Sequence, residues 1–202
     1  MTAAASGACV WNLLRPSDAN GICDIDRSKT TKGRHMGREL AAGAKAPAFT
    51  LRRDGGGKVS LSDFKGSKLV LYFYPKADTP GCTKEAMEFS RLHADFAKAG
   101  TAILGVSADP VTAQDKFKAK HRLSIALGSD EAKDMLTAYG AWGEKSMYGR
   151  KFMGVLRKTF LIGADGRIIQ IWQKVRVPGH ARDVLLAARN AESSAIAEDS
   201  QR

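Results

Sequence analysis

Cys82 is the residue with the clearest capacity for covalent chemistry in this 202-residue chain. It follows Thr79 and Pro80, a pair typical of a helix N-cap and a first helical residue, so the spacing predicts Cys82 in a first helical turn. Backbone N–H groups and the positive end of the helix dipole favour a thiolate there, and Lys76 and Lys84 add positive charge. Because the thiolate is the nucleophilic form of cysteine, the pattern predicts a reactive thiol; the alternative is a small buried cysteine at a strand–helix turn.

The segments around Cys82 predict an α/β architecture. Residues 68–74 are nearly all apolar and rich in strand formers, which indicates a strand covered on both faces, and Pro75 ends it. The helix that carries Cys82 is predicted to end near Lys98, and residues 101–107 form a second buried strand. Strand, helix and strand then make a right-handed parallel crossover. Cys82 lies beyond the carboxyl end of its strand, where open α/β sheets bind ligands.

The remaining elements complete a mixed sheet. Before the crossover we predict a strand pair over 48–61 and a helical turn over 61–65. After it we predict a helix opened by Asp109 and Pro110, a strand over 124–127, a helix capped by Ser129 or Asp130 and ending near 140, a long loop over 141–154, a hairpin over 157–174 and a final helix over 178–191. The turn of that hairpin is Asp165–Gly166, the strongest short turn signal in the chain.

At these residues the chain resembles the peroxiredoxin family. The spacing Pro75-x-x-x-Thr79-x-x-Cys82 is similar to the peroxiredoxin signature, and residues 72–85 look like the peroxiredoxin Q branch, also called bacterioferritin comigratory protein. Three further segments match in the family's order, namely 45–51, 139–145 and 157–162. The resemblance covers residues 40–186. It implies the thioredoxin-like fold in its peroxiredoxin form, an α/β fold with a central mixed sheet and helices on both faces.

The resemblance also implies a role for each candidate site residue. Cys82 would attack a peroxide oxygen, and Thr79 and Arg157 would hydrogen-bond the reacting atoms, with the Arg157 head group against the thiolate. Pro75 would close the pocket and shield the sulfenic acid from water. Glu85 would orient Arg157, with an exposed position in the first helical turn as the alternative. The reaction is the two-electron reduction of hydrogen peroxide or an organic hydroperoxide, and it needs no metal or organic cofactor.

The regeneration of Cys82 is left open by the sequence. Many peroxiredoxins carry a resolving cysteine five residues after the first, but here that position is Met87, and no cysteine follows Cys82. We expect a one-Cys cycle in which thioredoxin, glutaredoxin or glutathione reduces the sulfenic acid. The alternatives are a disulfide from Cys82 to Cys9 or Cys23, and a redox sensor or holdase that reacts without turnover. A disulfide oxidoreductase of the same fold is disfavoured because it uses two close cysteines.

The composition limits the expected partners and location. The formal charge is +11, but Lys and Arg are scattered without a dense tract or interleaved aromatic residues, which argues against nucleic-acid binding. No apolar run approaches the roughly 20 residues that span a membrane. Three irregularly spaced cysteines do not make a disulfide framework, so we expect a reducing compartment, the cytoplasm. We also expect a monomer or a weak dimer.

Three segments are expected along the chain. Residues 1–35 lack the apolar core of a secretory signal, and we predict a disordered extension or an upstream translation, with Met36 as the natural start. An arm that carries Cys9 or Cys23 to the site is the competing interpretation. Residues 36–192 form the thioredoxin-like domain, and residues 193–202 form a polar tail.

Overall fold

The structure, a computed structural model, describes residues 40–147 and 149–199. Its strands are β1 (Thr50–Arg53), β2 (Lys58–Ser60), β3 (Lys68–Phe73), β4 (Thr101–Ser107), β5 (Ala126–Ser129), β6 (Trp142–Met147), β7 (Arg150–Val155), β8 (Lys158–Ile162) and β9 (Ile168–Trp172). Its α-helices are α1 (Pro80–Arg91), α2 (His93–Lys98), α3 (Val111–His121), α4 (Asp134–Ala138) and α5 (Val177–Asp199). The expectations for residues 1–35, including Cys9 and Cys23, concern a part of the chain outside the described residues.

A mixed sheet runs through the centre of the described structure, in the strand order β2-β1-β5-β4-β3-β8-β9. The strands β3, β4 and β5 are parallel, whereas β1 and β2 on one side and β8 and β9 on the other pair antiparallel. The predicted parallel connection from β3 through α1 to β4 is confirmed. Among the described residues, no helix has the length and apolar character needed to cross a membrane.

The sheet is covered on both sides, because side chains alternate along its strands. All six residues of β3 are buried. Val70 and Tyr72 join a core cluster with residues of α1, α2, α3 and α5, and we call this side the α1 face. Leu69, Leu71 and Phe73 join a second cluster with residues of α4, and we call that side the α4 face. The predicted mixed sheet with helices on both faces is therefore confirmed.

The single helix predicted from Pro80 to Lys98 is wrong, because the chain breaks at Leu92 into α1 and α2. The carbonyl of Ser90 accepts a hydrogen bond from the Ser124 hydroxyl at 3.0 Å, and the Ser90 hydroxyl accepts the Ser124 N–H at 2.7 Å. A side chain that takes a carbonyl out of the helical ladder interrupts the helix at that point. Phe89 and Phe96 nevertheless both stay buried on the α1 face, as predicted.

The long loop predicted over 141–154 is also wrong, because β6 and β7 form an antiparallel hairpin there. Its register runs from Trp142 opposite Val155 to Met147 opposite Arg150. The segment contains glycines and charges rather than alternating strand formers, so cross-strand pairing decides its structure. The hairpin leads through Leu156 to Arg157, which makes it relevant to the site.

Several helices begin or end at residues other than the predicted ones, because side chains that were expected to cap a helix make other hydrogen bonds. Pro110 rather than Asp109 is the N-cap of α3, and the helix predicted from Ser129 or Asp130 starts later, at Asp134. The Asp130 carboxylate instead accepts the N–H of Leu136 at 2.8 Å. The strand predicted over 124–127 is shifted to β5. The final helix continues to Asp199, beyond its predicted end at 191, with non-helical backbone angles at its second and third residues.

Candidate active site

Cys82 lies in the first turn of α1, as predicted. Thr79 is the N-cap residue with extended backbone angles, and Pro80 is the first helical residue. The Thr79 carbonyl accepts the N–H of Thr83 at 2.8 Å, so the chain passes directly from loop to helix. The Cys82 side chain is 2% exposed and belongs to the cluster on the α1 face. The thiol is thus close to the unpaired N–H groups of a helix start and shielded from bulk water.

The Thr79 hydroxyl makes a different bond from that of a helix-capping side chain. It donates to the carbonyl of Lys76 at 3.0 Å and makes no capping bond to the helix. Its hydrogen is therefore committed to the loop, while the lone pairs of the oxygen remain available. Thr79 is half-buried, and its hydroxyl donates to the loop.

Arg157 reaches Cys82 because of the sheet register. Strand β8 runs antiparallel to β3, and Lys158 pairs with Phe73, so Arg157 lies just past the carboxyl end of β3. Its Nη2 donates to the Cys82 Sγ at 3.3 Å. The guanidinium also lies beside Gly81, where a Cβ would be in ordinary van der Waals contact with Arg157 Nη2, at 3.5 Å. A strand that follows Cys82 by more than seventy positions therefore completes its surroundings.

Glu85 holds the other side of the same guanidinium. It lies three residues after Cys82, on the same face of α1, and its Oε2 accepts a hydrogen bond from Arg157 Nη1. The side chain is 1% exposed, so the alternative of an exposed first-turn glutamate is wrong. Burial raises the pKa of Glu85 to about 7, and the positive charge of Arg157 opposes this rise. The planar fork of Arg157 thus bridges a carboxylate and a sulfur, which fixes its position.

Pro75 follows Tyr74 at the end of β3 and is half-buried at the start of the loop that leads to Cys82. Asp109 anchors this loop, because its Oδ2 accepts the N–H of Ala77 at 2.7 Å. The same oxygen accepts the Ser107 hydroxyl at 2.8 Å. The sequence prediction gave Asp109 the role of a helix cap, whereas the structure uses it to position the loop.

Asp78, in the same loop, binds the last two residues of α3. Its backbone has φ 60°, in the left-handed region that a non-glycine residue adopts only at a cost. Its two carboxylate oxygens contact Lys120 Nζ at 2.6 Å and His121 Nε2 at 2.7 Å. Both hydrogen bonds lower the pKa of Asp78, and the one from His121 has the larger effect. The sequence prediction missed this contact, because the residues are distant in sequence and their charges look like ordinary surface groups.

Behind Cys82 the α1 face contains further buried polar groups. The ring of Tyr72 stacks on Phe89 at 4.7 Å, and its hydroxyl has no hydrogen-bond partner within the described structure. His180 packs edge-on against Phe89, and its Nε2 lies 2.8 Å from the Thr159 hydroxyl. Burial lowers the pKa of His180 to about 4, so the imidazole is neutral at physiological pH.

The Tyr72 ring needs a glycine on the neighbouring strand. Gly105 pairs with Tyr72 in the parallel ladder, and a Cβ at Gly105 would lie 2.5 Å from the Tyr72 hydroxyl oxygen. Any larger residue would displace the ring and, with it, Phe89 of α1. This close approach supports the helix that carries Cys82.

Within the described part of the chain, no group of three or more His, Cys, Asp or Glu side chains is arranged to hold a metal ion. Near Cys82, Arg157 hydrogen-bonds the sulfur and Glu85 Oε2, whereas the buried Glu85 Oε1 has no hydrogen-bond partner in the described structure. The expectation that catalysis needs no cofactor stays a prediction.

The sequence model of the AhpC/TSA family matches residues 42–171, which include the whole of this site. The chain belongs to the peroxiredoxin family. Peroxiredoxin Bcp of Bacillus subtilis is 45% identical over 146 residues, which cover 72% of this chain and 93% of the relative. Peroxiredoxin Bcp of Escherichia coli is 40% identical over 147 residues, which cover 73% of this chain and 94% of the relative.

Solved structures support the same assignment for the fold. Peroxiredoxin Q of Xanthomonas campestris superposes with a TM-score of 0.68 at 42% identity, covering 71% of this chain and 91% of that one. A structure from a study of alkyl peroxide reduction by the bacterioferritin comigratory protein of the same organism has a TM-score of 0.71 at 40% identity, covering 75% of this chain and 99% of that one. The fold of this peroxiredoxin is therefore the thioredoxin-like fold, as the resemblance implied.

Membership of the peroxiredoxin Q and Bcp group also defines the class of activity. This peroxiredoxin is an enzyme, a thiol peroxidase, and its substrates are a peroxide and a thiol reductant. The family match begins at residue 42, and the structure from the alkyl peroxide study covers 75% of the chain.

Proposed function

We propose that this peroxiredoxin reduces hydrogen peroxide and organic hydroperoxides through a sulfenic acid on Cys82, which an external thiol then reduces. The observation that supports the first half is the contact of Arg157 Nη2 with Cys82 Sγ at 3.3 Å, in a buried site at a helix start. A permanent cation beside the sulfur favours the thiolate and stabilises negative charge as it moves to the departing oxygen.

The peroxide step balances without a cofactor. The Cys82 thiolate attacks the hydrogen-bearing oxygen of the peroxide, so that an S–O bond forms as the O–O bond breaks. The sulfur is oxidised by two electrons to the sulfenic acid, and the other oxygen departs and takes a proton to become water or an alcohol. Arg157 and the first-turn N–H groups donate to the reacting oxygens. Thr79 contributes as an acceptor for the hydroxyl hydrogen of the peroxide, because its own hydrogen is bound to the Lys76 carbonyl.

The remaining members of the site keep this geometry in place. Glu85 anchors one side of the Arg157 fork, so that the other side faces the sulfur. Pro75 closes the loop over the sulfur and limits access of water to the sulfenic acid. Catalysis by positioned donors depends on such fixed placement, since groups that must first reorganise contribute less.

The second half of the cycle uses an external thiol, because no cysteine follows Cys82 in the sequence. Met87 stands where many relatives carry a resolving cysteine; it is 42% exposed and borders a groove of about 420 Å³ with Pro80, Thr83 and Lys84. The groove gives an outside molecule access to the first turn of α1. The thiol attacks the sulfenic sulfur, water leaves, and a second thiol resolves the mixed disulfide. Thioredoxin, glutaredoxin and glutathione are the candidate reductants, in the cytoplasm.

The test is the intact mass of the full chain, without reductant, after one equivalent of hydrogen peroxide in the presence of a sulfenic-acid trap such as dimedone. We expect one adduct, on Cys82. A disulfide between Cys82 and Cys9 or Cys23 would overturn the one-Cys cycle and favour the two-Cys alternative. A C9S/C23S double variant serves as the control, because it should give the same adduct and the same turnover as the natural chain.

A second measurement identifies the reductant. Peroxide consumption is followed over many turnovers with thioredoxin and its reductase, with glutaredoxin, or with glutathione as the only thiol donor. Sustained consumption with one donor supports the proposed peroxidase cycle. Consumption that stops after one equivalent with every donor would favour a sensor that reacts once.

A further inference from the structure

Lys145 is a charged residue near the site to which the reaction above gives no role. It lies on β6 opposite Phe152 of β7, in the hairpin that leads through Leu156 into Arg157. The next pair on the same face of the hairpin, towards its base, is Gly143 opposite Gly154. Because cross-strand partners share a face, Lys145 is followed towards the base of the hairpin by two glycines, of which Gly143 is covered by the Leu156 side chain.

The Lys145 stem occupies the space that the glycine leaves. A Cβ built on Gly154 would lie 3.4 Å from Lys145 Cδ and 3.5 Å from Phe152 Cε2. The stem therefore passes over Gly154, towards the base of the hairpin where Arg157 begins. Such a path buries the aliphatic part of the lysine and carries its amine towards the mouth of the Cys82 site.

The charges that act on Lys145 are those of the reacting groups. Burial lowers the pKa of Lys145, the Arg157 guanidinium lowers it further, and the Cys82 thiolate opposes both effects. Within the described residues no carboxylate pairs with Lys145, because the neighbouring Glu144 is on the opposite face, where it binds Lys151 at 3.0 Å.

Two other cations of the region are placed differently from Lys145. Arg150 is exposed and lies on the same hairpin face, but towards the tip. Lys133, the N-cap residue of α4, lies over the ring of Trp142, on the opposite face of the hairpin, at 5.1 Å from the ring centre. Lys145 is thus a partly buried ammonium beside a second cation.

An arrangement of that kind costs free energy unless an anion forms beside it. In this site two anions form during the reaction, the thiolate and then the departing oxygen. We propose that Lys145 is a further catalytic residue, which donates the proton that the departing oxygen takes up when the peroxide O–O bond breaks. This role rests on the peroxide reduction proposed for Cys82.

The proposed transfer completes the balance of the step. The thiolate and the hydroperoxide give the sulfenic acid and an alkoxide, or hydroxide from hydrogen peroxide. The Lys145 ammonium passes one proton to that anion, which leaves as an alcohol or as water, and becomes a neutral amine. The amine then takes a proton from solvent, which its partial exposure permits. A lowered pKa makes an ammonium a stronger acid and therefore a better donor.

The test measures the rate of Cys82 sulfenic acid formation in a single turnover, by rapid quenching and mass analysis, with two kinds of oxidant. Hydrogen peroxide and tert-butyl hydroperoxide release strongly basic anions that need a proton. Perbenzoic acid releases benzoate, which is stable without one. We expect Lys145→Met to slow the first two by about 100-fold, the scale of general acid catalysis, and to leave the perbenzoic acid rate at the wild-type value.

Two variants define what the lysine contributes. Lys145→Arg keeps the positive charge but holds its proton, so we expect it to be as slow as Lys145→Met with hydrogen peroxide. The wild-type rate should fall at alkaline pH as Lys145 loses its proton, and this fall should be absent from the Lys145→Met profile. Lys151→Met is the matched control, since it removes a cation from the other face of the same hairpin and should leave every rate unchanged.

Three results would overturn the proposal. Wild-type rates in Lys145→Met would remove any role for the residue. Recovery in Lys145→Arg, or an equal loss with perbenzoic acid, would show that the charge rather than the proton matters. A wild-type protein that forms no sulfenic acid would instead reject the function proposed for Cys82, so the two failures are distinguishable.

Discussion

The two faces of the central sheet bury different kinds of side chain. The cluster on the α4 face contains the Tyr139 hydroxyl, which donates to the Pro47 carbonyl at 2.7 Å, and the buried Asp130 beside it accepts the N–H of Leu136 of α4 at 2.8 Å. The α1 face buries a larger set of groups that titrate or react, namely Tyr72, Tyr74, Cys82, Glu85 and His180, and the Tyr72 hydroxyl and Glu85 Oε1 have no hydrogen-bond partner within the described structure. Both faces share the same strands. We infer that one face supplies stability while the other accepts the cost of buried polar groups for the sake of chemistry.

The largest expected effect is at Cys82 on the α1 face. Cys82→Ser should abolish peroxide consumption, because a hydroxyl is not ionised at neutral pH and is a poor nucleophile towards the O–O bond. The melting temperature should change little, since Ser is nearly the same size as Cys. Consumption is measured with a peroxide-sensitive dye and stability by circular dichroism. Retained turnover in this variant would remove the central claim about the α1 face.

A large loss of stability without a loss of chemistry is expected on the α4 face. Leu104 is fully buried there, and Leu104→Ala should lower the free energy of unfolding by about 2–5 kcal/mol through lost burial and a cavity. The single-turnover peroxide rate, measured well below the melting temperature, should remain that of the wild type. A rate that falls together with stability would show that the two faces are not independent.

Removal of the Arg157 guanidinium should slow the reaction on the α1 face. Arg157→Ala should slow the peroxide step by about 100–1000-fold, the loss typical of one preorganised donor. It should also lower the rate of Cys82 alkylation by iodoacetamide at neutral pH, since less thiolate is present. Arg157→Lys keeps the charge without the fork that joins Glu85 to the sulfur, so an intermediate rate is expected. If alkylation were unchanged in Arg157→Ala, the contact with the sulfur would have no electrostatic role.

The two titrating groups on the α1 face should give opposite pH dependences of stability. The pKa of Glu85 rises from 4.5 to about 7 on folding, so stability falls as the pH rises through that range. The pKa of His180 falls from 6.5 to about 4, so stability falls as the pH drops through that range. Between pH 4.5 and 6.5 the two slopes oppose each other, and the wild-type profile should be nearly flat.

Urea unfolding at a series of pH values separates these contributions. Glu85→Gln should leave the His180 slope, so that stability declines towards acid by up to about 1.4 kcal/mol per pH unit. His180→Gln should leave the Glu85 slope of opposite sign. Profiles that match the wild type in both variants would contradict the assignment of buried titrating groups to this face.

The smallest effect concerns a single hydroxyl. Tyr72→Phe removes an oxygen that has no partner in the described structure, so it should raise the free energy of unfolding by about 1 kcal/mol. Tyr74→Phe is the matched control, because the Tyr74 hydroxyl donates to Gln114 Oε1 and its loss should destabilise the protein. A Tyr72→Phe variant that is less stable than the wild type would mean that its hydroxyl is bound after all.

Local signals predicted the centre of the site well. The N-cap at Thr79, the first helical residue Pro80 and the apolar run over 68–74 each act through neighbours in sequence, so their structure follows from backbone chemistry. The break at Leu92 was not predictable in this way. It depends on Ser124, a residue of another segment, which binds the Ser90 carbonyl.

The hairpin over β6 and β7 illustrates the same limit. Its glycines and charges resemble a loop when read along the chain, yet Gly154 makes room for the Lys145 stem. For Glu85 an interaction with Arg157 was predicted, but the local sequence also allowed an exposed position in the first helical turn. Its burial depends on Arg157, which strand pairing brings to it.

The sequence by itself determined that Cys82 lies in a first helical turn, how that helix begins, and the parallel crossover that places it at the end of a strand. Those features depend on local backbone preferences and on apolar periodicity, which are written into consecutive residues. The tertiary structure decided how Arg157 reaches both Cys82 and Glu85, that Asp78 and Asp109 fix the loop, and that the Lys145 stem passes over Gly154. These contacts join residues far apart in the chain, and only sheet register and packing determine which of many polar side chains meet.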